Sequence, residues 1–271
     1  MAPKLDLLLS PFDADPRQLQ STAAHAEQVG FDGIWTYDHM TGAMFDRGHS
    51  LDAFTLLGAF AVSTERVQLG PLVANLMNRH PVRLALAANT LQQLSGGRAI
   101  LGLGSGAAPG SRFAREHEAL GTQLADGTTR REMLIEAIAA LRALWQGATS
   151  LGGQYFPIDD FDFALGNDNP PPVIVGASGP ATARLAFSHG DGINIANPKA
   201  LAGLRDLVIS DRPDNFEVSV HVTVSPDDAV PFDQQLPEPE SCVDRWVFAV
   251  PTQPRPGWIE EFSNAVVSRF C

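Results

Sequence analysis

A chain of 271 residues that is 44% hydrophobic is long enough for one large α/β barrel or two ordinary globular domains. Its formal net charge of −12 works against nucleic-acid partners, whose phosphates it repels. No apolar run reaches the roughly 18 residues of a membrane span, the start MAPKLDLLLSPFDAD does not read as a secretory signal, and Cys242 and Cys271 are too few for a disulfide framework or a zinc knuckle, so a reduced, cytoplasmic enzyme or binding protein is expected.

The elements alternate along the chain. LDLLLS (5–10) reads as a strand, and Asp15-Pro16 caps and opens the helix RQLQSTAAHAEQV, which Gly30 stops. GIWTYDH (33–39) is a second strand, followed by an apolar-faced helix over 51–64. RVQLGPLVA (66–74) is a third strand, and Pro81 opens the helix that ends at Gly96-Gly97. RAILGLGSG (98–106) is a fourth strand running into a glycine-rich loop. After an irregular stretch, Thr129 and Glu132 read as a capping box for REMLIEAIAALRALW. The stretch 149–170 has no clear helix and reads as an insertion. PPVIVGASG (171–179) is a fifth strand, Pro180 opens a helix closed by Gly190, and GINI (192–195), FEVSVHVTV (216–224) and DRWVFAVP (244–251) complete eight strands before a last helix over 257–270. Repeated βα units imply parallel pairing, and eight of them imply a (β/α)8 TIM barrel in one domain spanning 1–271; an open doubly wound sheet is the alternative.

In such a barrel the chemistry collects at the carboxyl ends of the strands. GLGSGA places Gly102, Gly104 and Ala107 on the dinucleotide pattern GxGxxA, but no helix opens at once and the unit is the fourth. A turn needing small residues and a flat wall for a ligand are both open readings. GASGPAT (176–182) puts free N–H groups at a helix N-terminus, a place suited to an anion or a phosphate; a tight turn capped by Ser178 is the plain alternative. The second strand ends on Asp38 and His39. An imidazole shuttles protons near neutral pH, and a neighbouring carboxylate orients it or binds a ligand donor. No metal-ligand pattern and no serine-nucleophile elbow occur in the sequence.

With these motifs in view, the chain resembles the bacterial luciferase-like monooxygenase superfamily, most closely its coenzyme F420-dependent branch. The segments that carry the likeness are AEQVGFDGIWTYDHM, RVQLGPLVANLMNRHPVRLALAANTLQQLSGGRAILGLGSG, EALG, RREMLIEAIAALRALWQG and PPVIVGASGPATARLAFSHGDGINI. The resemblance implies a flavin-like cofactor at the carboxyl ends of the strands. Asp38 would lie by its ring, and His39 would be the catalytic acid or base. A non-prolyl cis peptide in a bulge at Leu72-Val73 would back the ring. Ser105, Gly106 and Ala107 would contact the ring or its side chain, and Ala177, Ser178 and Gly179 would hold its phosphate. The implied function is hydride transfer between F420 and a small organic substrate by a homodimer; the short connections after the sixth and seventh strands leave either a more open pocket or one that a partner subunit covers. An FMN-dependent monooxygenase and a catalytically silent cofactor-binding protein are the alternatives. Ala107 stands where a sugar-phosphate dehydrogenase relative has a Glu, Glu116 is not aligned with that place, and Arg245 is the one basic residue that stands out near the last two strands, which argues against a phosphorylated substrate.

Overall fold

The computed structural model describes residues 2–160, 165–225, 230–252 and 254–271. The apolar runs read as strands pair in parallel throughout. β1 (Lys4–Leu9), β2 (Gly33–Thr36), β3 (Gln68–Pro71), β4 (Ala74–Asn75), β5 (Leu101–Gly104), β6 (Val173–Ala177), β7 (Gly192–Ile195), β8 (Glu217–Thr223) and β9 (Arg245–Val250) lie in the order β3-β2-β1-β9-β8-β7-β6-β5-β4. The third strand of the sequence is split into β3 and β4 by a bulge at Leu72-Val73, whose peptide is cis, as the resemblance implied. Below the bulge Leu69 bridges to Ala99; above it Ala74 pairs with Leu103 of β5. Nine segments, two of them halves of one strand, therefore close into a barrel of eight positions.

The outer layer is made by α1 (Pro16–Gln28), α2 (Ala53–Ser63), α3 (Pro81–Leu94), α4 (Arg115–Glu118), α5 (Gly127–Trp145), α6 (Pro180–His189), α7 (Pro198–Asp211), α8 (Phe232–Gln235) and α9 (Trp258–Phe270). Proline opens α1, α3, α6 and α7, where its fixed φ suits the first turn and its missing N–H costs nothing. The main core lies between strands and helices. A smaller one, with Leu8, Trp35, Leu72, Ile100, Ile174 and Val247, fills the barrel itself.

Three local readings need correction. The capping box at Thr129 and Glu132 does not form. The cap lies three residues earlier, at Asp126, whose carboxylate accepts from both Thr128 and Thr129 N–H, and Glu132 instead accepts from the Tyr155 hydroxyl at 2.6 Å. α7 occupies 198–211, where the sequence reading has no helix; Asn197 caps it through Ala200 N–H. β2 stops at Thr36 rather than at His39. Of the 149–170 insertion, Leu151 and Ile158 form an antiparallel bridge, and residues 161–164 lie outside the described residues.

The barrel floor is ionic. Arg245, fully buried, donates to Asp6, Gln68 and Glu217, and Trp35 Nε1 donates to Asp6 at 2.6 Å. The basic residue singled out in the sequence therefore lies at the amino end of β9, on the opposite end of the barrel from the strand termini that end in Asp38 and His39.

Candidate active site

The last ladder bond of β2 runs from Leu72 N–H to the Thr36 carbonyl, at 2.8 Å. Beyond it the bulge removes the partner strand, and Tyr37, Asp38 and His39 leave the sheet. Freed from strict alternation, all three take up separate polar partners. Asp38 is buried, and both of its oxygens are occupied. Arg79 Nη1 donates to them at 2.6 and 2.5 Å, and Asn75 N–H donates to Oδ2 at 2.9 Å. Arg79 also donates to Asp52, the N-cap of α2, at 2.7 Å. Burial opposes the Arg79 charge, but its bonds to Asp38 and the pull of both carboxylates raise its pKa above the ordinary value. Asp38 thus ties the end of β2 to the far side of the bulge.

His39 is held from another direction. Its Nδ1 lies 2.9 Å from Oε1 of Glu116 on α4, and the second Glu116 oxygen accepts from Met40 N–H at 2.8 Å. The Glu116 carboxylate is 1% exposed. Burial disfavours its ionisation, yet the His39 hydrogen bond and charge, with the Met40 N–H and His117, hold it below the usual carboxylate range. Phe113 stacks on the imidazole with centroids 5.6 Å apart, and Phe45 meets it edge-on at 6.2 Å. Phe12 and Tyr37 continue the ring cluster, and Arg112 lies over both Phe45 and Phe113. Next to Glu116, His117 is buried and pairs through Nε2 with Asn75 Nδ2 at 2.9 Å, while Asn75 Oδ1 accepts from Met77 N–H. One polar network therefore links His39, Glu116, His117, Asn75, Asp38 and Arg79.

The bulge explains the glycines. A Cβ on Gly104 would lie 2.7 Å from Val73 Cγ2, one on Gly176 would lie 3.0 Å from Val73 Cγ1, and one on Gly102 would lie 2.2 Å from the Pro71 carbonyl oxygen. Three glycines on β5 and β6 clear the space into which the bulge carries Val73. Gly106 has φ of +82°, and a Cβ there would meet Met77. Of the two readings of GLGSGA, a turn needing small residues is the one with a visible cause. Ser105 is partly exposed and Ala107 buried, and Arg130 of α5 donates to the Gly106 carbonyl at 2.6 Å. Ala177, Ser178 and Gly179 follow Gly176 at the mouth of β6. Ser178 is exposed, and α6 starts from Gly179 with no side chain capping its first turn.

A second pair sits at the mouth. Tyr37 Oη lies 3.0 Å from His221 Nε2, and His221 Nδ1 donates to the Ala196 carbonyl at 3.2 Å, which leaves Nε2 to accept from the tyrosine. Burial pushes the Tyr37 phenol up and the His221 imidazole down, so both stay neutral near pH 7. A groove of about 700 Å³ opens beside Asp38 and His39, walled by Met40, Phe54, Arg79, Arg83 and Leu86.

Sequence reading found His39 and the bulge but missed Glu116, His117, Arg79 and His221 as neighbours. Arg79 and Glu116 carried no local motif. His221 stood in the inward register of an alternating strand, a polar residue where β8 otherwise buries Val218, Val220 and Val222 on the other face, and that is a usable signal.

Residues 5–230 match the luciferase-like monooxygenase family model, and the chain belongs to that family. It is 39% identical over 179 residues to an F420-dependent glucose-6-phosphate dehydrogenase of Beutenbergia cavernae, covering 65% of this chain and 52% of that protein. It is 36% identical over 182 residues to an F420-dependent hydroxymycolic acid dehydrogenase of Mycobacterium tuberculosis, covering 65% and 48%. The chain spans about half the length of these curated relatives. Its fold matches that of an F420-dependent secondary alcohol dehydrogenase in complex with an F420-acetone adduct, with a TM-score of 0.79, 19% identity and 99% coverage of both chains. It also matches the coenzyme F420-dependent tetrahydromethanopterin reductase of Methanopyrus kandleri, with a TM-score of 0.77, 18% identity and 100% coverage of both.

Proposed function

We propose that this protein is an F420-dependent oxidoreductase that interconverts a small organic alcohol and its carbonyl form, with His39 handling the proton. The observation that carries the reading is the placement of His39: a partly exposed imidazole at the carboxyl end of the barrel, fixed through Nδ1, one residue from the Asp38 that anchors the bulge. The names of the curated relatives support the deazaflavin as cofactor.

The residues present fit such a group. Leu72 and Val73 would back its ring, and Ser105, Gly106 and Ala107 would flank it. Ala177, Ser178 and Gly179 would take its phosphate at the uncapped first turn of α6. Arg130, anchored on the Gly106 carbonyl, keeps a buried Nε–H without a partner among the described residues, a donor left over beside that loop. When bound, the deazaflavin supplies a two-electron hydride carrier. The chain's own residues do the rest. His39 takes the alcohol proton at Nε2 or returns it in the reverse direction. Phe12, Phe45 and Phe113 exclude water around it. Asp38, with both oxygens occupied, acts on the ring by holding the bulge rather than by touching it.

The reading is tested by following loss of oxidised F420 absorbance with a panel of secondary alcohols. His39→Ala is expected to lower turnover by about 10²–10⁴-fold while leaving F420 affinity nearly intact. Near-normal turnover in folded, F420-loaded His39→Ala protein would remove His39 from the mechanism.

We also propose a homodimer in a reducing cytoplasm. Val62 on α2 and Leu86 and Leu94 on α3 expose 68%, 51% and 52% of their surface on two helices in contact, apolar area that a second copy would cover. Light scattering that gives the mass of one chain would exclude the dimer.

A further inference from the structure

Glu116 lies 77 residues from His39 in sequence and carries no motif, yet it is the carboxylate in contact with the imidazole. Asp38, the sequence neighbour, cannot serve, since Arg79 and Asn75 N–H engage it. The two oxygens of Glu116 face two different groups, His39 Nδ1 and Met40 N–H. A backbone amide can only donate. An ionised carboxylate can only accept. With Glu116 ionised, His39 Nδ1 must therefore carry the hydrogen, and Nε2 is left as the bare nitrogen.

We infer that Glu116 is the positioning residue of this site: it locks His39 in the Nδ1–H tautomer, aims Nε2 at the substrate, and balances the imidazolium that forms when the proton arrives. The inference rests on the proton-handling role of His39 proposed above. In the oxidising direction the alcohol C–H bond breaks with its electron pair, which leaves as hydride to the cofactor. The O–H pair becomes the second bond of the carbonyl, and the proton passes to Nε2. The positive charge then sits on a ring hydrogen-bonded to a buried carboxylate. In the reducing direction the same imidazolium returns the proton to the carbonyl oxygen.

Among the described residues, the surroundings assign this task to Glu116. The imidazole faces are covered by Phe113 and the Phe12–Tyr37–Phe45 cluster. His117, also on α4, is 3.7 Å from Glu116 but is engaged with Asn75. Arg112 lies over the rings of Phe45 and Phe113, Tyr37 is paired with His221, and Asp52 shares Arg79 with Asp38.

The test is a two-bond ¹H–¹⁵N correlation spectrum of histidine-labelled full-length protein, recorded at a pH where the imidazole is neutral, with His39 assigned by its loss in His39→Gln. The wild type is expected to show Nδ1–H and an unprotonated Nε2. Glu116→Gln is expected to reverse this. Met40 N–H still requires an acceptor and takes the amide oxygen, so the amide NH2 faces Nδ1, which becomes an acceptor, and the hydrogen moves to Nε2. A wild-type spectrum with the hydrogen on Nε2 overturns the inference, and this arm needs no variant to fold. An unchanged tautomer in folded Glu116→Gln also overturns it. Failure of the parent reading is separate: it shows as near-normal turnover in folded, F420-loaded His39→Ala protein, a measurement that involves neither Glu116 nor the tautomer.

Discussion

At the scale of single residues, two neighbours in sequence have separate tasks. Asp38 and His39 were both legible because an acid and an imidazole closed an otherwise apolar strand. Their division of labour was not, because it depends on Arg79, Asn75 and Glu116, which approach from other elements. Asp38 is 4% exposed in its side chain, and its removal leaves Asn75 N–H without its acceptor and Arg79 with Asp52 alone. Asp38→Ala is therefore expected to cost about 1–3 kcal/mol of stability in chemical denaturation and to weaken F420 binding as well, since the bulge loses its anchor at Asn75 N–H. A stability loss under about 1 kcal/mol would show that the pair is not effectively buried.

His117 gives a second residue-scale expectation. Burial pushes its pKa below the ordinary imidazole value, the charge on His39 adds to that, Glu116 opposes it, and Nε2 is occupied as the acceptor from Asn75. A depressed folded pKa means that, below about pH 6.5, the unfolded chain binds a proton that the folded chain does not. Stability from this group is thus complete above about pH 6.5 and is lost as pH falls through the folded value. Glu116, also depressed, adds the same sign of change at lower pH, starting near the ordinary carboxylate value of about 4.5. The Tm is expected to fall as pH drops from 7 to 5, and His117→Gln, which keeps an acceptor for Asn75 but cannot titrate, is expected to flatten that slope. An identical slope in the variant would place the titration elsewhere.

At the scale of elements, the bulge between β3 and β4 organises the mouth. Its position was legible only through resemblance, since PLVAN has no signal of its own. The glycines around it were visible in the sequence, but their cause was not: Gly104 and Gly176 are small because Val73 lies against them, a contact between strands that composition cannot display. Gly104→Ala is expected to overpack this point by about 1–3 kcal/mol, lowering Tm and F420 affinity together. Val73→Ala in the same chain should return most of the stability by removing Cγ2. A Gly104→Ala protein with unchanged Tm would mean that the bulge yields at no cost. Helix boundaries show a related limit. Asp126, three residues before Thr129, takes the capping role through its carboxylate.

At the scale of the whole molecule, the barrel was legible because hydrophobic runs and helical faces alternate, and parallel pairing with right-handed crossovers leaves few ways to join them. α7 escaped because its 14 residues mix polar and apolar positions, with Asn197-Pro198 as the only marker of its start. What the fold does not display is the cofactor, since one fold can carry different chemistries. The most direct measurement is a pair of fluorescence titrations of the purified protein, one with coenzyme F420 and one with FMN. The account predicts a saturable response to F420, approaching one cofactor per chain, with FMN binding much more weakly. Tight FMN binding with no measurable response to F420 would contradict it.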